Sequence, residues 1–338
     1  MTMTLEQDIT RAAAILAQAT DVTLLGHVRP DADALGSALA LARVLRQRGA
    51  TVRVSFAYPD TVPETLRGLD VDGLLVRPAD LPATEPLLVA LDTPTLGRLG
   101  ALGGRVAANT ALGGEVLVVD HHTSNEFYGT HHVVDVTAEA TAVLVLKLID
   151  ALGAQLDEPT ARCLYAGLVT DTSGFRRATP STHRMASRLL DAGVNPDEVV
   201  RQVVDDHPFA WLPMLATVLA GARLEPDAAQ GLGLAHAVVT AAVAATVRAE
   251  EVEAVVDVVR STRDAEVAVV LKESEPDGDE QVWQVSLRSA GKVDVATAAR
   301  SLGGGGHRLA AGCTLHGTAE QALTRLREAL DTAPLLPG

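Results

Sequence analysis

Apolar residues in the first two-thirds of the chain fall in short continuous runs, separated by longer stretches of helical period. A continuous apolar run of strand length marks a strand buried on both faces, as in a parallel sheet covered by helices. Leu87-Leu88-Val89-Ala90-Leu91 is the clearest case. Strands are expected over 21–27, 51–56, 74–77, 86–92, 115–120 and 132–136. A helix is expected over 34–48, closed by Gly49 where helix ends favour a left-handed residue. This alternation predicts an α/β domain built on a doubly wound parallel sheet.

From Thr137 to about residue 222 the pattern turns mainly helical. Gly, Ala, Pro and Asp then break it over 221–230, and a domain boundary is expected there. The remainder mixes strands over 266–272, 282–288 and 313–316 with helices over 294–302 and 319–331. The acidic segment 273–280, with Pro276 and Gly278, reads as a hairpin loop. The expected organisation is a first domain over 1–222, a linker over 223–230, and a smaller α+β domain over 231–335.

Composition narrows the partners. The chain has 338 residues, enough for two domains, and 47% are hydrophobic, enough for a core in each. Its two cysteines, Cys163 and Cys313, form no disulfide framework, so reduced thiols and a cytoplasmic location are expected. No basic leader precedes Glu6 and Asp8, and the weakly polar stretch 231–247 is too short to span a bilayer. No membrane association is expected. A net charge of −15 argues against a groove for long duplex nucleic acid, whose affinity comes largely from Lys and Arg on phosphates. Aromatics at 3% argue against an extended base-stacking platform. A small anion remains a possible ligand if metal ions and a few arginines reverse the field locally.

Four of the expected strand or helix ends finish in Asp or His, where open parallel sheets bind ligands. His27, Asp31 and Asp33 follow the first strand within seven residues. Asp92 ends the run 87–91; alone it is as easily a turn residue. Asp120, His121 and His122 end the fifth strand. Adjacent histidines on a strand point to opposite faces, so both reach one site only if the chain turns. Asp171 closes a helix that starts near Pro159, where a carboxylate opposes the helix dipole and calls for a positive partner. Clustered carboxylates repel unless cations sit among them. Carboxylate with imidazole and no thiolate suits manganese or magnesium, with cobalt or iron as alternatives. Two such ions can hydrolyse a phosphoester.

His27-Val28-Arg29-Pro30-Asp31-Ala32-Asp33-Ala34-Leu35-Gly36-Ser37, the lone Asp92, Asp120-His121-His122 with Asn125, and Thr170-Asp171-Thr172-Ser173-Gly174-Phe175 resemble the four motifs of the DHH phosphoesterases. Gly303-Gly304-Gly305-Gly306-His307 resembles the glycine-histidine signature of the DHH-associated domain. The resemblance implies one metal ion on His27, Asp31 and Asp92, and a second on Asp33, Asp92, His121 and Asp171, with Asp92 bridging. It implies that His122 faces the phosphate and that Asp120 orients the histidines. It implies a substrate-binding role for Arg288, Gly304, Gly305, Gly306 and His307, and a homodimer.

Within the superfamily the chain is most similar to the stand-alone NrnA-like group. That likeness implies hydrolysis of very short RNA to mononucleotides and of 3′-phosphoadenosine 5′-phosphate to AMP. A soluble phosphodiesterase acting on cyclic di-AMP or its linear product is the nearest alternative. A single-strand exonuclease of the RecJ type and an inactive regulatory binder fit less well.

Overall fold

The computed structural model describes residues 4–278 and 280–336. The first three residues of the expected first domain, and Asp279 of the expected hairpin loop, lie outside them.

The chain forms two compact units, Met1–Asp206 and His207–Gly338. In the first, five parallel strands are β1 (Asp21–Leu25), β2 (Thr51–Ser55), β3 (Leu87–Leu91), β4 (Glu115–Asp120) and β5 (His131–Val134). Their order is β2-β1-β3-β4-β5, so the direction of winding reverses between β1 and β3. Such a switch point opens a crevice at the carboxyl ends of the strands. Helices α1 (Leu5–Gln18), α2 (Ala32–Gln47) and α4 (Thr141–Ala151) cover one face of this sheet. The other face carries α3 (Gly104–Ala111) and a short turn over Leu96–Leu102. Helix α5 (Glu158–Asp171) lies along α2, and α6 (Pro180–Asp191) packs on α5. The doubly wound α/β expectation stands.

The expected strand over 74–77 does not form; only an isolated parallel bridge joins Leu75 to Val54. Leu74 is buried, but the Asp70 carboxylate takes the Leu74 and Leu75 amides and turns the chain there.

Among its described residues the second unit holds six strands: β6 (Arg223–Glu225), β7 (Leu234–Val239), β8 (Val267–Asp277), β9 (Glu280–Ser289), β10 (Gly305–His307) and β11 (Ala310–His316). Their order is β10-β11-β9-β8-β7-β6, parallel only between β7 and β8. One face packs on α9 (Val295–Ser301) and α10 (Ala319–Asp331), the other on α7 (Trp211–Ala220) and α8 (Ala249–Val259). The segment read as a hairpin loop is mostly strand, since β8 runs to Asp277.

The division between units falls at Asp206 and His207, not over 223–230. Helix α7 sends Trp211, Met214 and Val218 into the second core, against Val252, Val255 and Val256 of α8. The expected linker is itself structured: Arg223–Glu225 is the edge strand β6, paired with β7. Among the described residues, no helix is long and apolar enough to cross a membrane.

Candidate metal centre

The carboxyl ends of β1, β3 and β4 and the C-terminus of α5 each deliver a polar side chain to one buried spot. His27 follows β1. Its Nδ1 donates to the Val28 carbonyl at 2.9 Å, which fixes the ring and turns Nε2 toward Asp31 Oδ2 at 3.5 Å and Asp92 Oδ2 at 3.4 Å. Asp31 has two jobs. Its Oδ1 caps α2 by accepting the amides of Asp33 and Ala34, while Oδ2 faces His27. Cap and candidate ligand are one residue because a carboxylate has two oxygens.

Asp33, in the first turn of α2, is fully buried. Its oxygens accept the amides of Thr141 at 2.6 Å and Ala142 at 2.9 Å, so a carboxylate from α2 caps the start of α4. That end of α4 has no side-chain cap of its own, and its dipole favours the negative charge. The approach needs glycines. A Cβ at Gly36 would lie 2.3 Å from the Cys163 carbonyl, and one at Gly167 would lie 2.6 Å from Asp33 Oδ1. Those two positions let α2 and α5 cross closely, with Asp33 wedged at the crossing.

Asp92 sits just past β3 in the left-handed region, at φ +55°. A non-glycine residue pays about 1–3 kcal/mol for such a conformation, so its surroundings must hold it there. They do: its amide donates to the Val119 carbonyl, and Thr141 Oγ1 donates to Asp92 Oδ1 at 2.8 Å. Beyond it, Tyr128 Oη donates to the Thr93 carbonyl at 2.9 Å.

Strand β4 ends at Asp120, so the two histidines stand beyond it, with rings 4.8 Å apart and nearly perpendicular. His121 Nδ1 donates to the Ala138 carbonyl, and its Nε2 lies 3.2 Å from Asp171 Oδ2 and 3.5 Å from Asp92 Oδ1. His122 Nδ1 donates to Asp120 Oδ1 at 2.8 Å and lies 3.6 Å from Asp92 Oδ1. Asn125 Nδ2 donates to the other Asp120 oxygen at 2.7 Å.

Among the described residues of the first unit, three triads bring candidate donor atoms within 4.8 Å of one another: His27, Asp31 and Asp92; Asp33, Asp92 and His121; Asp92, Asp120 and His122. Asp92 belongs to all three. Thus the eight residues expected at the chemical centre meet in space. The charges there are unbalanced. Burial, then Asp171 and Asp92, push the Asp33 carboxyl well above the usual range. Burial also raises Asp171. Burial alone would lower both histidines, but Asp31 and Asp92 hold His27 up at about 10, and Asp171 and Asp92 hold His121 up at about 11. Protons are thus drawn in to neutralise a nest of carboxylates. Divalent cations satisfy the same demand with oxygen and nitrogen donors suited to them, so the residues fit the implied metal ions.

In the second unit, His307, Ala310, Arg288 and Ala268 lie in one row across the sheet, on the face covered by α8. His307 and Arg288 are therefore two strand spacings apart, about 10 Å. Arg288 Nε is 3.7 Å from Asp257 Oδ1. The glycine run is not a loose loop: Gly305–His307 is β10. A Cβ at Gly304 would come within 2.1 Å of the Gly312 carbonyl, so its glycine serves strand packing. Gly306 is equally tight, at 2.6 Å from the Ala310 carbonyl. Gly305 has open space beside it.

Sequence reasoning missed Thr141, Ala142 and Tyr128. Nothing local marks them; only the fold brings α4 and the 121–130 loop to the centre.

The family model described as DHH family, N-terminal domain, matches residues 21–168, and the DHHA1 domain model matches residues 235–333. The chain is 33% identical to the bifunctional oligoribonuclease and PAP phosphatase NrnA of Thermus thermophilus, over 90% of this chain and 87% of that one. It is 25% identical to the cyclic-di-AMP phosphodiesterase GdpP of Bacillus subtilis, over 94% of this chain and 48% of that protein. Its fold resembles an exopolyphosphatase-related protein from Bacteroides fragilis, with a TM-score of 0.83 at 24% identity over 96% of each chain.

Proposed function

The chain belongs to the DHH family, and from that premise we propose that it is a metal-dependent phosphoesterase acting on short oligoribonucleotides and on 3′-phosphoadenosine 5′-phosphate. Mononucleotides and AMP are the respective products. The observation that carries this reading is the position of Asp92, shared by every donor triad of the first unit. The NrnA of Thermus thermophilus, named for both activities, supports the choice of substrates.

In this reading His27, Asp31 and Asp92 hold one divalent ion, and Asp33, Asp92, His121 and Asp171 hold the other, with manganese the first candidate. When bound, such a pair supplies an activated water and charge neutralisation at a phosphate. The protein's own groups do the rest. The Val28 and Ala138 carbonyls take the Nδ1 protons of His27 and His121, so each ring keeps Nε2 for the ion. Asp120, steadied by Asn125, holds His122 at Nδ1 and leaves Nε2 to pass a proton to the departing oxygen. Arg288, Gly304, Gly305, Gly306 and His307 engage the rest of the nucleotide, with Gly305 the point where backbone can be approached. A homodimer is part of the proposal.

The similarity to GdpP favours one second reading, cleavage of cyclic di-AMP or its linear dinucleotide to AMP. Product analysis on a short RNA, 3′-phosphoadenosine 5′-phosphate and cyclic di-AMP, with manganese and with chelator, separates the two. Chelator-insensitive turnover would overturn both.

A further inference from the structure

The mouth of the acidic centre is not acidic on every side. Three loops following β1, β2 and β3 interlock beside His27. The Val28 amide donates to the Arg98 carbonyl at 2.8 Å, and the Arg29 amide donates to the Tyr58 carbonyl at 2.6 Å. Gly100, at φ +56°, seals the joint: a Cβ there would lie 2.6 Å from Val28 Cγ1 and 3.2 Å from Ala57 Cβ. These bonds hold Arg29 in the left-handed region, at φ +52°. Its guanidinium lies over the Tyr58 ring, 5.7 Å from the centroid. The Tyr58 residue is 54% exposed. Among the described residues, neither Arg29 nor Arg98 is ion-paired with a carboxylate, although the chain carries 43 acidic side chains against 28 Lys and Arg.

A strained arginine and an exposed tyrosine could be a surface ornament. Their place argues otherwise. Arg29 follows the switch-point strand β1 and Tyr58 follows its neighbour β2, at the sheet edge where open α/β sheets take ligands, close to His27 of the first donor triad. Backbone strain retained at such a point marks a conformation that is used. Guanidinium planes and aromatic rings are the surfaces on which unpaired bases stack, and unpaired arginines meet phosphate.

We propose that Tyr58 and Arg29 form a base-stacking platform for one nucleoside of the substrate, with Arg29 and Arg98 also drawing in its non-scissile phosphate. The proposal rests on the phosphoesterase reading and adds specificity residues to it. One base on one ring suits a chain too poor in aromatics for a longer platform.

The test uses the full manganese-loaded protein and a 5′-phosphorylated adenine dinucleotide, with two analogues that each lack one base. Y58A is expected to raise KM on the dinucleotide about tenfold, the scale of one lost base stack, with a smaller change in kcat. The penalty should vanish on one of the two analogues, and Y58F, which keeps the ring, should recover most of the affinity. R29G removes the guanidinium while glycine suits the positive φ, so its Tm should hold or rise while KM climbs. An unchanged KM in Y58A or in R29G overturns the platform. So does a Y58A penalty that persists on both analogues, or a Y58F as impaired as Y58A. If the wild-type protein turns over none of these substrates, the phosphoesterase reading fails instead. Calorimetric binding of AMP to wild type and Y58A then decides the platform on its own: weaker binding in Y58A supports it, and equal or absent binding removes it.

Discussion

The two units use their sheets in opposite ways. In the first, the central strands β3 and β4 are apolar up to their carboxyl ends and the chemical groups stand at or beyond those ends, gathered from β1, β3, β4 and α5. In the second, Arg288 and Lys272 point from strand interiors onto a sheet face and are met there by Asp257 and Glu253 of α8. The first arrangement concentrates unlike elements on one spot, so its charges depend on one another and, in the proposed reading, on divalent ions. The second meets these two charges locally. A single change should therefore fail all at once in the first unit and by degrees in the second.

The largest expected effect follows from Asp92. Its oxygens face His27 on one side and His121 on the other, so D92A removes a donor from all three triads of the first unit at once. Turnover should fall on the order of a thousandfold or more on all substrates, and titration should show manganese uptake lost. A variant that still binds two equivalents would break the comparison at its strongest point.

Arg288 should behave differently. R288A is expected to raise KM by about ten- to a hundredfold, the scale of a lost charged hydrogen bond, with kcat less affected and substrate preference reordered. Equal losses of kcat on every substrate would place it with the chemical centre instead.

Thr141 sharpens the contrast from within the first unit. Its hydroxyl touches Asp92 and its amide touches Asp33, so T141V keeps the amide and the branched Cβ but drops one partner of a proposed ligand. Manganese affinity measured by calorimetry should weaken about tenfold, as for other groups that orient ligands. Unchanged affinity would mean that the left-handed Asp92 turn is held without the hydroxyl.

How far the sequence foretold this depends on whether the deciding contact is local. Asp92 was legible because a buried strand ends in it, yet its bond to Thr141 spans 49 residues and leaves no local trace. Asp31 caps α2 with one oxygen and faces His27 with the other, a double use that its place in the sequence does not reveal. The parallel strands were legible as uninterrupted apolar runs. By contrast, β7 lies in an alanine-rich stretch and β10 in a glycine run, where no alternation betrays a strand. The boundary was misplaced because α7 continues the helical pattern before it; only the packing of Trp211, Met214 and Val218 assigns it to the second unit.

The smallest expected effect tests whether charges in the second unit are balanced locally. Glu225 on β6 accepts two bonds from Arg327 of α10, both at 2.8 Å, and a third from His236 Nε2 at 2.8 Å. Arg327 chiefly, with His236 in support, holds the Glu225 carboxyl below its ordinary value of 4.5. A carboxyl depressed on folding contributes stability that is complete above the unfolded value and is lost as pH falls through the folded one. The side chain is about a quarter exposed, at 26%, so solvent screening keeps the contribution to no more than about 1 kcal/mol. E225Q should therefore lower Tm slightly at neutral pH, and the gap from wild type should close as pH drops below 4.5. Manganese affinity should not change, because no donor triad of the first unit includes Glu225. A gap that stays constant into acid would show that the carboxylate's charge is not what ties β6 to α10, and that packing of the edge strand does the work instead.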